Sequence, residues 1–354
     1  MSLPLSSTNK KDTSVNADLQ SWSEISAQFK NGAILLGNGS SCAIWEKFGY
    51  ASLFEQAKSR KKIDNPLSPQ DIKVFDSRDT KNFELILSSL SQTSEISKIF
   101  DKDSTIFDER YEHIKTALGE AVRSVHIPWH EITNSDVLPQ IRQELSNYKW
   151  VFSTNYDLLV YWAVMSERGG NGFKDYFWSL GSSGSRDSFD RLDSDISKSC
   201  TRVLYLHGAL HLKRDPSTAQ TSKLSNGDGG TILERLEVPL FITEGSSRDK
   251  MKAIRESDYL GFAYDKLMLS KEPLVIFGHS LDETDDHLIK AIQKNMPNKI
   301  AVSIRSSNKE DDIIERKVKI RRKFLAETGH PEIFFFDAAT HPLGSKDIRI
   351  GETE

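Results

Sequence analysis

Short apolar runs alternate with amphipathic segments along most of the chain. The runs are Ala33–Leu36, Trp150–Ser153, Val203–Leu206, Leu274–Phe277, Ile300–Ile304 and Ile333–Phe336. A run without polar alternation is typical of a strand that is buried on both faces, as in a parallel sheet covered by helices. Several runs are followed by amphipathic segments of helical length. The pattern therefore predicts an α/β fold with a Rossmann-like, doubly wound parallel sheet.

The long interval 51–148, between the first two runs, has a different pattern. Its apolar residues fall at spacings of three and four in Leu53–Arg60, Asn82–Leu90, Arg110–Val125 and Asp136–Tyr148. Such spacings place the apolar side chains on one face of a helix. The interval is therefore predicted to form a helical insertion module beside the sheet.

Two polar stretches lie outside these elements. Residues 1–20 are rich in Ser, Thr, Asn and Lys, and their small apolar surface cannot offset the entropy lost on ordering, so a mobile tail is predicted. Residues 213–235 contain the turn sequences Asp215-Pro216 and Asn226-Gly227, which predict a loop or hairpin region. Residues 21–350 are then expected to form a single domain.

The charge balance argues against binding to nucleic acid through the whole surface. Of the 354 residues, 47 are Lys or Arg and 51 are Asp or Glu, so the formal net charge at pH 7 is -4. A protein that binds nucleic acid broadly carries a basic excess. The densest basic stretch, Glu315–Phe324, is compatible with an amphipathic helix whose charged face is solvated. Contact with nucleic acid or with a partner protein through this stretch is the alternative.

The chain lacks the features of membrane and secreted proteins. No segment approaches the roughly 18 consecutive apolar residues of a membrane helix, and the N-terminal sequence lacks the apolar core of a signal peptide. Cys42 and Cys200 are the only cysteines, too few for a disulfide framework or for a zinc site made of four thiolates. A cytoplasmic protein without membrane association is expected.

Glycines and serines follow the first apolar run. Gly37 and Gly39 let the backbone approach a phosphate closely, and the hydroxyls of Ser40 and Ser41 add hydrogen-bond donors. A helix predicted to begin near Cys42 would direct free N–H groups and its dipole at the same charge. The third glycine of the dinucleotide-binding fingerprint is missing, so an ordinary strand-to-helix turn is the alternative.

Asn155 and Asp157 follow the second run. In open parallel sheets, ligands bind outside the carboxyl ends of the strands. An asparagine can hold a water molecule or a ribose hydroxyl through both its donor and its acceptor. The alternative is that Asn155 or Asp157 caps the helix predicted from Leu158.

His207 follows the third run. A histidine at a strand end, with Gly208 behind it, is well placed to act as a general base near neutral pH. His211 lies four residues further on and suggests a metal-binding pair, but no third ligand occurs at a matching spacing. No metal is therefore predicted, and His211 is expected to be a packed histidine.

Gly278 and Ser280 follow the fourth run. The glycine allows a ligand to approach closely, and the hydroxyl can bond a ribose or a phosphate. An acidic run comes next. Its Asp285 and Asp286 are interpreted as the start of a helix over Asp285–Lys294, where carboxylates offset the helix dipole. A metal site in the acidic run is the alternative.

Taken together and in this chain order, the four strand-end segments resemble the sirtuin family. Its members carry a Gly-Ala-Gly-x-Ser turn, a Thr-x-Asn-x-Asp segment, a Leu-His-Gly histidine and a later Gly-x-Ser. The corresponding segments here are Gly37-Asn38-Gly39-Ser40-Ser41, Thr154-Asn155-Tyr156-Asp157, Leu206-His207-Gly208 and Gly278-His279-Ser280. The Thr segment is one residue shorter than in the deacylases, which is similar to a divergent bacterial sirtuin-like branch associated with antiphage defence.

The resemblance implies NAD+ as the substrate, bound at the strand ends, and no metal. The residues that would bind the diphosphate are Gly37, Gly39, Ser40 and Ser41, and those on the adenosine side are Gly278 and Ser280. The residues implied to be catalytic are Asn155 and Asp157, beside the nicotinamide ribose, and His207, as the general base.

Sirtuin deacylases hold zinc through four cysteines, and this chain has two. The resemblance therefore implies an NAD+ glycohydrolase that releases nicotinamide and ADP-ribose, used in bacterial antiphage defence by NAD+ depletion, and not a zinc-dependent deacylase. The alternatives are a non-hydrolytic NAD or ADP-ribose sensor or regulatory subunit, and an ADP-ribosyl transferase. Because such an activity must be restrained, a homo-oligomer is expected, and a partner ATPase or another defence subunit is a further possibility.

Overall fold

The computed structural model describes residues 15–61, 63–167, 172–177, 187–193, 199–215, 218, 220–224, 239–242, 246–325 and 330–351. In chain order its strands are β1 Ala33–Leu36, β2 Trp150–Ser153, β3 Phe173–Lys174, β4 Thr201–Tyr205, β5 Gly208–Ala209, β6 Leu212–Arg214, β7 Thr221–Lys223, β8 Leu240–Phe241, β9 Leu274–Phe277, β10 Lys299–Ile304 and β11 Glu332–Asp337.

The centre of the protein is a seven-stranded sheet in the order β11-β10-β9-β1-β2-β4-β3, and all its strands are parallel. The predicted α/β class with a Rossmann-like, doubly wound sheet is confirmed. All six apolar runs form strands of this sheet, and β1 and β9 are buried along their whole length, because helices cover both faces. The seventh strand, β3, has only two residues, too few to leave a pattern in the sequence.

Helices surround the sheet. Those in the described residues are α1 Trp22–Ile25, α2 Asn38–Ile44, α3 Tyr50–Ala57, α4 Pro69–Ser77, α5 Phe83–Ile99, α6 Thr105–Val125, α7 Trp129–Thr133, α8 Val137–Leu145, α9 Leu159–Met165, α10 Ser247–Glu256, α11 Asp258–Leu269, α12 Asp286–Lys294 and α13 Glu310–Lys323. No helix among them is both long enough and apolar enough to cross a membrane.

Helices α3 to α8 occupy the interval between β1 and β2, and α6 packs against both α3 and α5. The buried residues Ile114, Leu118, Val122 and Val125 recur along α6 at spacings of three and four. This spacing gives α6 one continuous apolar face, which explains why it packs between two other helices. The buried residues of the helical module and those of the sheet belong to one continuous hydrophobic core.

The helix after β1 begins earlier than the sequence predicted. It was expected from Cys42, but α2 starts at Asn38, so Gly39 and the two serines that follow it lie in its first turns. Gly37 precedes the helix in an extended conformation with φ -111°. The Ser40 hydroxyl donates a hydrogen bond to the Gly37 carbonyl at 2.8 Å, and this contact favours the early start.

Strand β1 lies at the point where the strand order reverses. From β1 the chain continues to β2 on one side, and β9 pairs with β1 on the other side. At such a switch point the loops leave in opposite directions and open a crevice outside the carboxyl ends of the strands. The segments that follow β1, β2, β4 and β9 therefore meet at one edge of the sheet.

Two predicted polar stretches are described only in part. Residues 1–14 of the predicted tail and residues 225–235 of the predicted loop region lie outside the described residues. Gln20, which was assigned to the tail, pairs in parallel with Phe336 of β11, and its N–H donates to the Phe335 carbonyl at 3.0 Å. Strands β6 and β7 form an antiparallel pair in the second stretch.

Candidate functional site

A cavity of about 310 Å³ opens at the carboxyl ends of β1, β2, β4 and β9. Its sheet side contains six of the residues predicted from the sequence, Gly39, Asn155, Asp157, His207, Gly278 and Ser280. Its opposite side is formed by the helical module, with Tyr50, Leu53, Phe83, Glu84, Leu118 and Val122. A largely apolar pocket with a few converging polar groups is the usual form of a small-molecule site.

The other three predicted residues, Gly37, Ser40 and Ser41, do not line this cavity. Ser40 and Ser41 are buried behind it and contact Asn155 instead. The contact between these residues and a ligand stays a prediction, and their position outside the cavity lining does not support it. Because α2 begins at Asn38, the two hydroxyls lie on the helix side that faces the end of β2 and not on the side that faces the cavity.

The two serines fix the orientation of the Asn155 amide. Its Nδ2 lies 3.0 Å from Ser40 Oγ and 2.8 Å from Ser41 Oγ. Ser40 already donates its proton to the Gly37 carbonyl, and Ser41 donates its own to Asp157 Oδ2 at 2.5 Å. Both hydroxyls can therefore only accept from Asn155, so the amide must direct its N–H groups at them. Asn155 Oδ1 is buried and has no hydrogen-bond partner among the described residues.

Asp157 acts on Asn155 through Ser41. Its Oδ2 accepts from Ser41, and its Oδ1 accepts the Leu159 N–H at 2.9 Å. The second bond lies beside the start of α9, but the N-cap residue of this helix is Leu158 and not Asp157, so the capping alternative does not describe it. Burial raises the pKa of Asp157, against the effect of these hydrogen bonds. Both carboxylate oxygens therefore accept hydrogen bonds, and the side chain fixes the position of Ser41 and, through it, of Asn155.

The glycines at the sheet edge allow two backbone segments to touch. A Cβ on Gly37 would lie 2.6 Å from His279 Cα, and a Cβ on Gly39 would lie 2.8 Å from the Gly278 oxygen. Gly278 has φ +68°, and a Cβ there would lie 2.2 Å from the Ser40 nitrogen. The Gly39 N–H donates to the Gly278 carbonyl at 2.8 Å. These glycines join α2 to the end of β9, and two of them, Gly39 and Gly278, form part of the cavity floor.

Gly278→Ala is expected to lower the free energy of unfolding by about 2 kcal/mol or more, because it combines a left-handed backbone with a steric clash. Gly172→Ala is a matched control. Gly172 has φ +78°, but a Cβ there meets nothing within 4 Å. Urea denaturation of both variants separates the two costs. Equal destabilisation of the two variants would show that the steric clash at Gly278 adds nothing to the cost of the left-handed backbone.

A second histidine contacts His207. His207 Nε2 lies 2.9 Å from His287 Nε2 and 4.0 Å from Asp285 Oδ1. Burial lowers the pKa of His207 well below its usual value, and the nearby Lys250 ammonium lowers it further, while Asp285 opposes the shift. The lowered pKa favours the neutral imidazole, which keeps one unprotonated ring nitrogen, and the tautomers of the two histidines decide which of them donates in this contact.

Glu84, Lys250 and Asp285 form a buried ionic cluster beside these histidines. Lys250 Nζ lies 2.8 Å from Glu84 Oε2 and 2.8 Å from Asp285 Oδ1, and the Lys250 side chain is fully buried. Burial raises the pKa of Glu84 despite the ammonium. Burial also opposes the charge of Asp285, but Lys250 outweighs it and holds the pKa of Asp285 below its usual value. The cluster joins the helical module to the sheet edge.

The helix predicted over Asp285–Lys294 is confirmed, since α12 spans Asp286–Lys294, Asp285 is its N-cap residue and Asp286 lies in its first turn. The Asp285 side chain makes no capping hydrogen bond and contacts Lys250 instead. Asp286 pairs with Lys323 at 2.7 Å. The local sequence suggested capping because acidic residues usually favour a helix start. No local pattern could reveal the partner Glu84, which lies 166 positions from Lys250.

One group of three side chains in the described part of the chain could hold a metal ion. The ligand atoms of His207, Asp285 and His287 lie within 4.8 Å of one another. The Lys250 ammonium already contacts Asp285, and its charge disfavours a cation at the same carboxylate. The expectation of no metal remains a prediction. His211 is buried and stacks on Tyr161, with ring centroids 4.3 Å apart.

Comparison with known proteins assigns the chain to a family but does not assign it an activity. No curated protein matches the sequence. Residues 34–343 match the family described as Domain of unknown function (DUF4917), and this range contains all of the strand-end segments around the cavity. Since the match covers more than half of the chain, the protein belongs to the DUF4917 family.

Proposed function

We propose that this protein is an NAD+ glycohydrolase that cleaves the bond between nicotinamide and ribose. The observation that carries the proposal is the amide of Asn155, which the serines hold so that Oδ1 remains a buried acceptor without a partner at the cavity wall. An unpaired buried acceptor is costly unless a ligand or water satisfies it. A water molecule or a ribose hydroxyl would supply the missing donor.

The charges at the cavity wall suit the transition state of this reaction. Nicotinamide leaves NAD+ as a neutral group, and positive charge develops on the ribose. The carboxylates of Glu84 and Asp285 line the same cavity as Asn155 and His207. Negative groups fixed near a developing positive charge lower its energy without further reorganisation. The buried ionic cluster therefore contributes electrostatic stabilisation in this proposal.

The proposed step needs one water molecule and one base. Asn155 Oδ1 accepts a hydrogen bond from the water, whose oxygen attacks the ribose carbon as the bond to nicotinamide breaks. Neutral His207 accepts the proton that the water loses. The products are nicotinamide, ADP-ribose and a protonated His207, which returns its proton to solvent. Orientation of the water and removal of its proton are the tasks of these two side chains.

The biological context is part of the proposal and rests on the sirtuin resemblance. The zinc-binding cysteines of the deacylases are missing, which supports cleavage of NAD+ over deacylation. NAD+ depletion in bacterial antiphage defence would require control by self-association or by a partner such as an ATPase. The non-hydrolytic sensor and the ADP-ribosyl transferase are the competing functions.

Incubation of the purified protein with NAD+ tests the proposal. We expect nicotinamide and free ADP-ribose in equal amounts, measured by liquid chromatography. ADP-ribose attached to protein or to a small molecule would favour a transferase. Binding of NAD+ without any nicotinamide release, alone or with extract of phage-infected bacteria, would contradict the hydrolase and favour the sensor.

A further inference from the structure

The segment after β1 has few donors left for a phosphate. The Gly39 N–H is bonded to the Gly278 carbonyl, and the hydroxyls of Ser40 and Ser41 are bonded to the Gly37 carbonyl and to Asp157. The diphosphate of a dinucleotide carries two negative charges that need donors or cations when they leave water. Another group in the cavity must therefore supply the positive charge or the hydrogen-bond donors for the diphosphate.

Arg305, directly after β10, lines the cavity close to the end of β9. It is the one permanently charged cation among the described lining residues, and it makes no ion pair with any of them. The carboxylates of the wall are engaged elsewhere, since Lys250 contacts two of them and Ser41 contacts Asp157. The positive charge of Arg305 is thus available to a ligand.

Arg316 of α13 places a second positive charge near Arg305. Its guanidinium donates to the His279 carbonyl at 2.9 Å, and its Nε is buried without a partner among the described residues. Burial lowers the pKa of Arg316, and the charge of Arg305 adds to the effect, so the two guanidinium groups influence each other. Asp282, the acidic neighbour of Arg316, is paired with Lys319 at 2.9 Å.

We propose that Arg305, with the charge of Arg316 nearby, is the phosphate-binding residue of this cavity, and that it takes this role in place of the glycine and serine turn. A guanidinium presents planar donors that match phosphate oxygens and keeps its charge at every physiological pH. The identity of the ligand as a dinucleotide rests on the proposed function. The substrate then lies with its phosphates at β9 and β10 and its nicotinamide ribose at Asn155 and His207.

Calorimetric titration with ADP-ribose, which the enzyme does not cleave, tests this proposal separately from catalysis. Arg305→Gln is expected to weaken ADP-ribose binding by about 10- to 100-fold, the usual loss of a charged hydrogen bond. Arg305→Lys keeps the charge and should recover part of the affinity. Arg322→Gln, an exposed arginine of α13, is the control and should bind as the wild type does.

Adenosine, which is neutral and has neither a phosphate nor the bond to nicotinamide, distinguishes a phosphate contact from a structural effect. Its affinity should be the same in the wild type and in Arg305→Gln. Equal loss of both ligands, unchanged ADP-ribose affinity in Arg305→Gln, or no ADP-ribose binding by the wild type would each overturn the proposal. Selective loss of ADP-ribose binding without any nicotinamide release would instead retain the phosphate site and reject the hydrolase.

A comparison of ADP-ribose with ADP-ribose 2′-phosphate identifies which phosphate Arg305 contacts. Equal weakening of both ligands in Arg305→Gln supports contact with the diphosphate. Loss of a preference for the 2′-phosphorylated ligand supports contact with the 2′-phosphate. Equal binding of each ligand by the variant and the wild type counts against any phosphate contact.

Discussion

Lys250→Met is expected to lower the free energy of unfolding by about 3–5 kcal/mol at pH 7, the usual cost of removing one partner from a buried ion pair. Met fills a similar volume, so the expected loss comes from charge and not from packing. In the wild type the Lys250 ammonium lies 2.8 Å from a carboxylate oxygen of Glu84 and 2.8 Å from one of Asp285. Without the ammonium, both carboxylates would remain buried and without a cation. Urea denaturation followed by circular dichroism measures the change.

The pH dependence separates this explanation from a packing defect. In the wild type, Lys250 depresses the pKa of Asp285, so the stability it contributes is present above the unfolded pKa and is lost as the pH falls through the folded pKa. In the variant, burial without a cation raises the pKa of both carboxylates, and their cost disappears as they protonate. The difference between the two proteins should therefore narrow between pH 7 and pH 5.

The matched control is Lys252→Met, on the exposed side of the same helix. It should change the free energy of unfolding by less than about 0.5 kcal/mol, as surface substitutions usually do. A loss of the same size in both variants, or a Lys250→Met defect that is independent of pH, would show that the cluster does not act through its charges.

Asn155→Ala is expected to reduce the rate of nicotinamide release by about 10²-fold or more, because the attacking water loses its acceptor. The Ser40 and Ser41 hydroxyls keep their own acceptors, the Gly37 carbonyl and Asp157, so the local structure should persist. The affinity for ADP-ribose should change far less than the rate. Steady-state kinetics together with calorimetric titration measure both quantities.

Asn134→Ala is the control, since Asn134 is exposed at the end of α7, away from the cavity. It should have the activity and the stability of the wild type. A rate for Asn155→Ala within a few-fold of the wild-type rate would contradict the role proposed for Asn155 in holding the attacking water. A loss of ADP-ribose affinity as large as the loss of rate would indicate a binding role and favour the sensor.

The sequence predicted the elements whose physical cause is local. Buried strands such as β1 and β9 have continuous apolar sequences, and the residues that follow parallel strands must meet at one edge. Asn155 and His207 were predicted to lie close together for this reason, and both line the cavity. The position of Ser40 behind the cavity was not predicted, because α2 begins at Asn38 and not near Cys42.

The residues that sequence reasoning missed depend on contacts between distant segments. Glu84, Lys250 and His287 belong to three different helices, and each has an ordinary local context. A lysine on an amphipathic helix is usually solvated, but Lys250 is buried between Glu84 of the helical module and Asp285 at the sheet edge. Contacts between such distant segments depend on the whole fold, and local sequence patterns do not predict them.

The contact between Gly39 and Gly278 makes part of the cavity floor from main chain alone. A surface of this kind has the same shape whatever side chains surround it, and amino-acid replacement has little means of adjusting it. The apolar side chains of Leu53 on α3 and of Leu118 and Val122 on α6 line the same cavity and can each be exchanged for others. Attempts to redirect this pocket to a new ligand should therefore begin with the helical module and leave the sheet edge intact.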